Sequence, residues 1–442
     1  MVDGAASAAS RQACAEVLAE VWHRESALLV ALVARWVRDL GLAEDLVQDA
    51  LEAALQHWPL DGIPERPGAW LLTTARRRAL DRLRRDASLA AKLEQIGADL
   101  EAQEALIVPD FVDALDAARA DVIGDDLLRL IFTACHPLLS ADAREALTLK
   151  ILAGLSTEEI ARAFLVSEAT VAQRIVRAKR TLAEAGVPFE LPRPEALAER
   201  LDSVLEVVYL IFNAGYTALR GAQWMRGELT HEAQRLARLL AGLMPQAPEV
   251  HGLAALLDLQ ASRSAARLDD QGAPVLLLDQ DRSRWDAPLI GQGLQSLARA
   301  EALLAAAAVP AGPYVLQAAI AACHARAATA EATDWAHIAR LYGRLLRVQP
   351  TPVVALNRAV AVGMADGPAA GLALVDGLVG EPALRDYPWL HSVRGDLLQR
   401  LQRRDEAVAA FGQALALSHN AHDRWLLQRR LQHLQQLQQP GG

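Results

Sequence analysis

Cysteine is almost missing from this chain: Cys14, Cys135 and Cys323 are the only three among 442 residues. No C-x-x-C occurs and the count is odd, so neither a disulfide framework nor a cysteine-rich metal site is expected, which fits a reducing cytoplasm. Cys135-His136 stands too isolated to bind metal and reads as core or helix end. Aromatic residues are scarce at 5 % and β-branched runs are short. With Ala, Leu and Arg abundant, the expectation is an all-α fold. Long apolar runs are lacking too. The stretch 27–37 is broken by Arg35 and is too short to span a bilayer, and MVDGAASAAS lacks the parts of a signal peptide. No nucleophile elbow, P-loop, H-E-x-x-H or dinucleotide fingerprint appears. No enzymatic activity, cofactor or metal is therefore expected, and no membrane partner. Positive net charge is also absent, with a formal value of −9.

That acidity is concentrated. Residues 87–126 hold ten acids against Lys92 and Arg119, a net of −8. The remainder is close to neutral and has basic clusters, and for nucleic-acid binding the distribution matters more than the sum.

The most informative stretch is STEEIARAFLVSEATVAQRIVRAKRTL, residues 156–182. Ser156 and Glu159 have the spacing of a capping box. Ile160, Ala163 and Phe164 give the first helix an apolar side, Leu165-Val166 form a turn, and Ser167 can cap the second helix. Val171, Ile175, Ala178 and Leu182 then recur as a buried stripe. Thr170, Gln173, Arg174 and Arg177 lie on another face. Arg reads guanine and Gln reads adenine, so this face suits the major groove. A helical hairpin with a solvated basic face is the ordinary alternative.

Upstream, Leu28, Leu29, Leu32, Val33 and Trp36 have core spacing, and Gly41 is read as a break. A helix over 42–57 carries AEDLVQDALEAAL. Its stripe is Leu42, Leu46, Val47, Ala50, Leu51 and Ala54, with Glu44, Asp45, Gln48, Asp49 and Glu52 opposite. That acidic face is either merely solvated or a docking surface. The segment WPLDGIPERPG, residues 58–68, reads as a loop. AWLLTTARRRALDRLRRD follows, a helix over 69–86 with six Arg in ten residues: Arg76, Arg77, Arg78, Arg82, Arg84 and Arg85. Trp58 and Trp70 flank the loop before it. Rings beside a basic helix can stack single-stranded bases while Arg meets phosphate. Simple core packing of the two tryptophans is equally open.

The order of these parts resembles the sigma-70 family of bacterial transcription initiation factors. The two-domain layout is similar to the extracytoplasmic-function class. The resemblance implies two small helical sigma domains, the second a helix-turn-helix, followed by a larger helical TPR-like extension. It implies a region 2 domain over 11–86, an acidic linker over 87–124 and a region 4 domain over 125–186. By the same resemblance, Asp45, Leu46, Gln48 and Asp49 dock on the β′ clamp helices of core RNA polymerase, whose β flap is a further partner. Trp58, Trp70, Arg76, Arg77, Arg78, Asp81, Arg84 and Arg85 meet the melted −10 element, with one base flipped out. Ser167, Thr170, Gln173, Arg174 and Arg177 read the −35 element of promoter DNA. The linker is implied to thread the channel of nascent RNA, where a polyanion fits. The chain departs from the family's usual glycines at Leu165 and Ala169.

PFELPRPEAL marks a further linker. Residues 197–300 read as a helical extension and 301–436 as TPR-like repeats. Gly395, Ala407, Phe411 and Ala414 have the small-large offsets of that repeat, and Tyr342, Leu345 and Pro350 fit another unit. Such pairs stack into a solenoid with a concave face, which suits a protein partner. Phrases such as LIFNAGYTA, DQDRSRWD and TPVVALNRAVAV resemble the long extension of one extracytoplasmic-function subgroup, group 42. In DQDRSRWD the cluster Asp279, Asp281, Arg282, Arg284, Trp285 and Asp286 reads as a salt-bridged loop locking helical layers. A catalytic carboxylate pair is the alternative. The competing function for the whole chain is a polymerase-independent helix-turn-helix regulator with a TPR-like sensor. Its mark would be duplex binding without core enzyme.

Overall fold

Twenty prolines do not prevent a helical protein when they stand where a helix begins. Proline has no N–H to lose at the first turn, and its fixed φ suits that turn. Helices α10 (Pro248–Ala261), α11 (Ala287–Ala307), α12 (Pro313–Arg326), α14 (Pro352–Ala365), α15 (Pro368–Asp376) and α16 (Pro388–Arg400) all start this way. The computed structural model describes residues 8–87, 120–164, 166–216, 223–270, 275–418 and 421–436. Among them the chain is helical and has no extended strand, so the all-α expectation holds.

The remaining helices, in chain order, are α1 (Ala8–Val37), α2 (Leu40–Asp61), α3 (Pro67–Ala87), α4 (Ala120–Ala134), α5 (Ala141–Ile151), α6 (Thr157–Phe164), α7 (Glu168–Glu184), α8 (Pro194–Tyr216), α9 (Gln223–Leu243), α13 (Trp335–Val348), α17 (Arg404–Leu417) and α18 (Ala421–Gln436). They fall into two compact units, residues 1–215 with 224–232 and residues 216–223 with 233–442.

In the first unit α1, α2 and α3 pack on one another, α4 packs on α1, and α5 and α6 pack on α7. Leu29, Val33, Leu46, Val47, Leu71 and Ala75 are among its buried residues. Trp22 Nε1 donates to the carbonyl of Gly154 at 2.7 Å. Gly154 has φ +68°, and a Cβ there would meet Ser26 Oγ at 2.8 Å, so the close approach requires glycine.

Several details differ from the sequence reading. Gly41 does not break a helix. The turn is at Arg38, whose φ is 55°, and Asp39 then caps α2 by accepting from Leu42 N at 2.9 Å. Helix α2 continues through Trp58 and Pro59 to Asp61, because the proline loses one donor only in the last turns and the helix ends at Gly62, φ 90°. Asp126 is not part of a solvated connector: it is buried in α4, bridged to Arg35 at 3.5 Å and to Arg129. Helix α8 lies in the first unit rather than in a separate extension. Arg200 donates to the Phe132 carbonyl at 2.6 Å, and Ser203 Oγ donates to the Cys135 carbonyl at 2.6 Å. The expected division at residue 300 falls inside α11. Leu165 and most of the acidic linker, residues 88–119, lie outside the described residues.

In the second unit α10 packs on α11 and α12, and from α12 to α18 each helix packs on the next in sequence. That succession is what stacked helical repeats give. Gly395 on α16 faces Phe411 on α17 so closely that a Cβ would meet its ring at 2.9 Å. Phe411, Ala407 and Ala414 are all buried, so the small-large pattern is the packing of one helix pair.

Candidate nucleic-acid interface

The helix-turn-helix forms as its capping chemistry requires. Ser156 N donates to Glu159 Oε2 at 2.7 Å and Glu159 N donates to Ser156 Oγ at 3.1 Å, a reciprocal box. Ser167 Oγ accepts from Thr170 N at 3.1 Å and starts α7. Val171, Ile175, Ala178 and Leu182 are all buried, which turns Gln173 and Arg177 outward to solvent. Thr170 is half-buried, and its hydroxyl pairs with Ser167 Oγ at 2.8 Å. Arg174 is held away from open solvent, with its guanidinium 2.6 Å from Asp142 on α5. Val176, 62 % exposed, stands on the outer side of α7, where the apolar character of a valine gives no signal of exposure. Beside Asp142, Glu145 has its pKa raised to about 7, first by burial and then by the Asp142 charge, against the opposing pull of Arg174 and Arg144.

Helix α3 buries Leu71, Leu72, Ala75 and Ala79. Arg77, Asp81 and Arg82 are exposed. The Arg76 guanidinium lies 5.8 Å from the centre of the Trp36 ring, and Arg78 is 3.4 Å from Asp49 of α2. The side chains of Arg84 and Arg85 lie outside the described residues. Trp58 is 2 % exposed and packs edge-to-face on Trp70, with centroids 5.5 Å apart. In this arrangement Trp58 is core, and only the half-buried Trp70 has ring surface to offer a base.

On α2, Asp45 and Asp49 are exposed and Gln48 is half-buried, but Leu46 is buried and packs inward. The larger departure is Glu44, which the periodicity put on the solvated face. It is 2 % exposed. Its Oε1 accepts from Gln48 at 2.7 Å, and its Oε2 lies 2.7 Å from Lys179 Nζ. Lys179 also reaches Asp45 Oδ1 at 3.2 Å, and its stem crosses Gly41, where a Cβ would be 3.5 Å from Lys179 Cδ. Burial alone would lower the Lys179 pKa, but the charges and hydrogen bonds of Glu44 and then Asp45 outweigh it and hold it above the ordinary 10.5. Lys179 is on α7, so the acidic face of α2 and the second helix of the helix-turn-helix are tied directly. Neither spacing nor composition signals a contact across so many residues.

The DQDRSRWD loop has a structural role. Asp281 accepts from Ser283 N at 2.9 Å and Asp286 caps α11 through Leu289 N at 2.9 Å. Arg282 donates to the carbonyls of His324 at 2.5 Å and Ala327 at 2.6 Å at the end of α12, and its guanidinium lies 4.8 Å from the Trp285 ring centre. The lock works through carbonyls and caps, with one long ion pair, Arg284 to Asp270 at 3.7 Å. Of the three acids in the loop, Asp281 and Asp286 accept from backbone N–H groups as caps, which is a structural use of both. No group of three metal-ligating side chains occurs among the described residues, and no helix there is long and apolar enough to cross a membrane.

Comparison with known proteins agrees with this division. Residues 21–88 match sigma-70 region 2, and residues 129–182 match sigma-70 region 4. The sigma factor SigL of Mycobacterium tuberculosis is 32 % identical over 193 residues, 42 % of this chain and 97 % of that protein. The chain belongs to the extracytoplasmic-function sigma factors of the sigma-70 family. SigK of Mycobacterium ulcerans, another such factor, is 31 % identical over 155 residues, 34 % of this chain and 75 % of its own. Both likenesses cover less than half of this chain, which continues well beyond the region 4 segment. There, residues 200–301 match a family of unknown function, DUF6596. An uncharacterised protein of Rhizobium meliloti is 46 % identical over 401 residues, 90 % of this chain and 92 % of that protein, so the long layout is shared. No solved structure matches the chain. As a sigma factor this protein is a DNA-binding component of transcription initiation, and α2, α3 and α7 as far as Leu182 fall inside the matched segments.

Proposed function

We propose that this sigma factor docks core RNA polymerase through the exposed Asp45 and Asp49 of α2, with Gln48 beside them, on the β′ clamp helices. The region 4 segment meets the β flap. Arg76, Arg77 and Arg78 with Trp70 engage the melted −10 element, and Gln173 and Arg177 read the −35 element, with Arg174 joining once it leaves Asp142. The observation that carries this reading is the outward display of Gln173 and Arg177 on α7, set by a fully buried stripe, within a segment that matches region 4. The protein supplies specificity and does no bond chemistry of its own.

The second unit is proposed to act on the sigma part as a regulatory or supporting element, as in the subgroup with TPR-like extensions (group 42). The motivation is its size and the relative that shares it over nearly its whole length.

Two measurements test these proposals. Asp45→Asn with Asp49→Asn, which removes both charges without setting an arginine against Lys179 or Arg78, should abolish retention by immobilised core enzyme while the fold, read by circular dichroism, is kept. Retained binding refutes the docking surface. For the extension, promoter-specific transcription by the full chain is compared with a chain ending at residue 232, which keeps α8 on the first unit. Unchanged activity and regulation refute a regulatory role. Tight binding of duplex promoter by the full chain without core enzyme would favour the independent regulator.

A further inference from the structure

The second unit contains a cavity of about 800 Å³ between the loop that carries Leu276 and Asp279 and the helices α16, α17 and α18. That is within the range of sites that enclose small organic ligands. Its helical wall is strongly basic, formed by Arg400, Arg404, Arg429 and Arg430. Three acids, Asp269, Asp279 and Asp396, line the same space, and Arg400, Arg404 and Arg429 are exposed to solvent within it. Arg430 is paired with Asp396 at 2.5 Å. Arg429 lies over the exposed Trp425 ring, 5.3 Å from its centre, and Arg400 meets only the Met364 sulfur at 3.1 Å. None of Arg400, Arg404 and Arg429 has an ion pair among the described residues. The other feature is apolar. Leu276, Leu426 and Leu434 line the same space, and Leu434 is buried. Asp269 and Asp279 are on the loop side, so charge of opposite sign is separated across the cavity.

Arg400, Arg404 and Arg429, which have no ion pair among the described residues, line the same space as this apolar surface and offer donors to a planar or tetrahedral anion, with room for a hydrocarbon body beside it. We propose that this cavity binds a small anionic metabolite with an apolar or aromatic part, its carboxylate or phosphate held by Arg400, Arg404 and Arg429. The site lies within the second unit, so the proposal stands independently of how the sigma part meets polymerase or promoter.

The test is calorimetric titration of the full-length protein with phenylacetate and phenyl phosphate, each one ring and one anionic group. Saturable one-site binding of either is expected, and the tighter of the two identifies carboxylate or phosphate as the natural group. Arg404→Glu with Arg429→Glu should weaken it at least tenfold with an unchanged melting temperature. Arg347→Glu, outside the cavity, should leave it unaltered. If the double variant melts early, Arg400→Gln is read by the same criterion. Binding that survives these substitutions, or no binding of either probe at millimolar concentration, overturns the proposal. Hexaglutamate binding more tightly than both probes also overturns it, in favour of an acidic protein segment.

Discussion

Replacing Lys179 by Met keeps the aliphatic stem over Gly41 and removes only the charge. Glu44 would then keep its carboxylate buried, 2 % exposed, with a single donor left, Gln48 at 2.7 Å. Breaking a buried ion pair from one side costs about 3–5 kcal/mol when the remaining charge has no other partner. Here Gln48 still holds one oxygen, and Lys179 is 20 % exposed, so water can enter where its ammonium was. The expected loss is therefore smaller, about 2–3 kcal/mol. For a unit of this size that corresponds to a fall in Tm of roughly 5–10 °C. The raised Lys179 pKa means the pair contributes fully at neutral pH and is lost only as pH rises through the folded value, above the ordinary 10.5. Scanning calorimetry near neutrality thus reads all of it. Lys179→Met with Glu44→Gln removes both charges and should recover most of the loss. The reasoning fails if the single variant stays within about 0.5 kcal/mol of wild type, or if the double variant is no better than the single.

Four other outcomes are expected. Arg177→Ala should cost about 1–3 kcal/mol in promoter binding by the holoenzyme, confined to upstream positions; a loss that is uniform over sequence would mean a phosphate contact instead. Arg174→Ala should cost less, because its bridge to Asp142 at 2.6 Å must open first, and Asp142→Ala should tighten the same complex. The pKa of His324 is lowered to about 4, by burial first and then by Arg263 and Arg282, so the unfolded chain binds the extra proton as pH falls from 6.5 toward 4. This histidine alone should then cost up to about 3 kcal/mol near the lower end; acid melts of His324→Gln should show a flatter decline, and parallel curves would contradict the assignment. Gly395→Ala places a methyl 2.9 Å from the Phe411 ring and should destabilise the second unit by about 1–3 kcal/mol, with partial recovery by Phe411→Leu; a neutral substitution would show that the pair is not close-packed.

Local rules transferred well from sequence to structure. The capping box at Ser156, the cap at Ser167 and the stripe on α7 depend only on residues within a turn or two, and each stands as spacing implied. The same holds for the Gly395–Phe411 pair, whose partners sit on consecutive helices. What failed to show was long-range. Glu44 has the spacing of a solvated acid and is buried only because Lys179, far along the chain, covers it. Asp126 looked like one more acid in an acidic run until Arg35 met it. Trp58 and Trp70 were open between core and stacking because periodicity cannot say which face another helix will cover; the structure buries Trp58 and leaves Trp70 half-covered. The ties of Ser203 and Arg200 back to α4 and its end are of the same long-range kind, hydrogen bonds with no sequence signature.

The bridges Arg78–Asp49 and Arg174–Asp142 bear on how a salt titration of promoter binding would read. A cation that meets a phosphate ordinarily frees a counterion from the nucleic acid, and the slope of log K against log salt counts such meetings. A cation that must first leave a carboxylate does something else, because the abandoned acid gathers a cation from solution. The ion released and the ion taken up cancel, and that contact drops out of the slope. Arg77 and Arg177, exposed and unbridged by any acid among the described residues, would register in full. The slope would therefore undercount the phosphates this protein touches, and affinity would fall less steeply with rising salt than its arginines suggest.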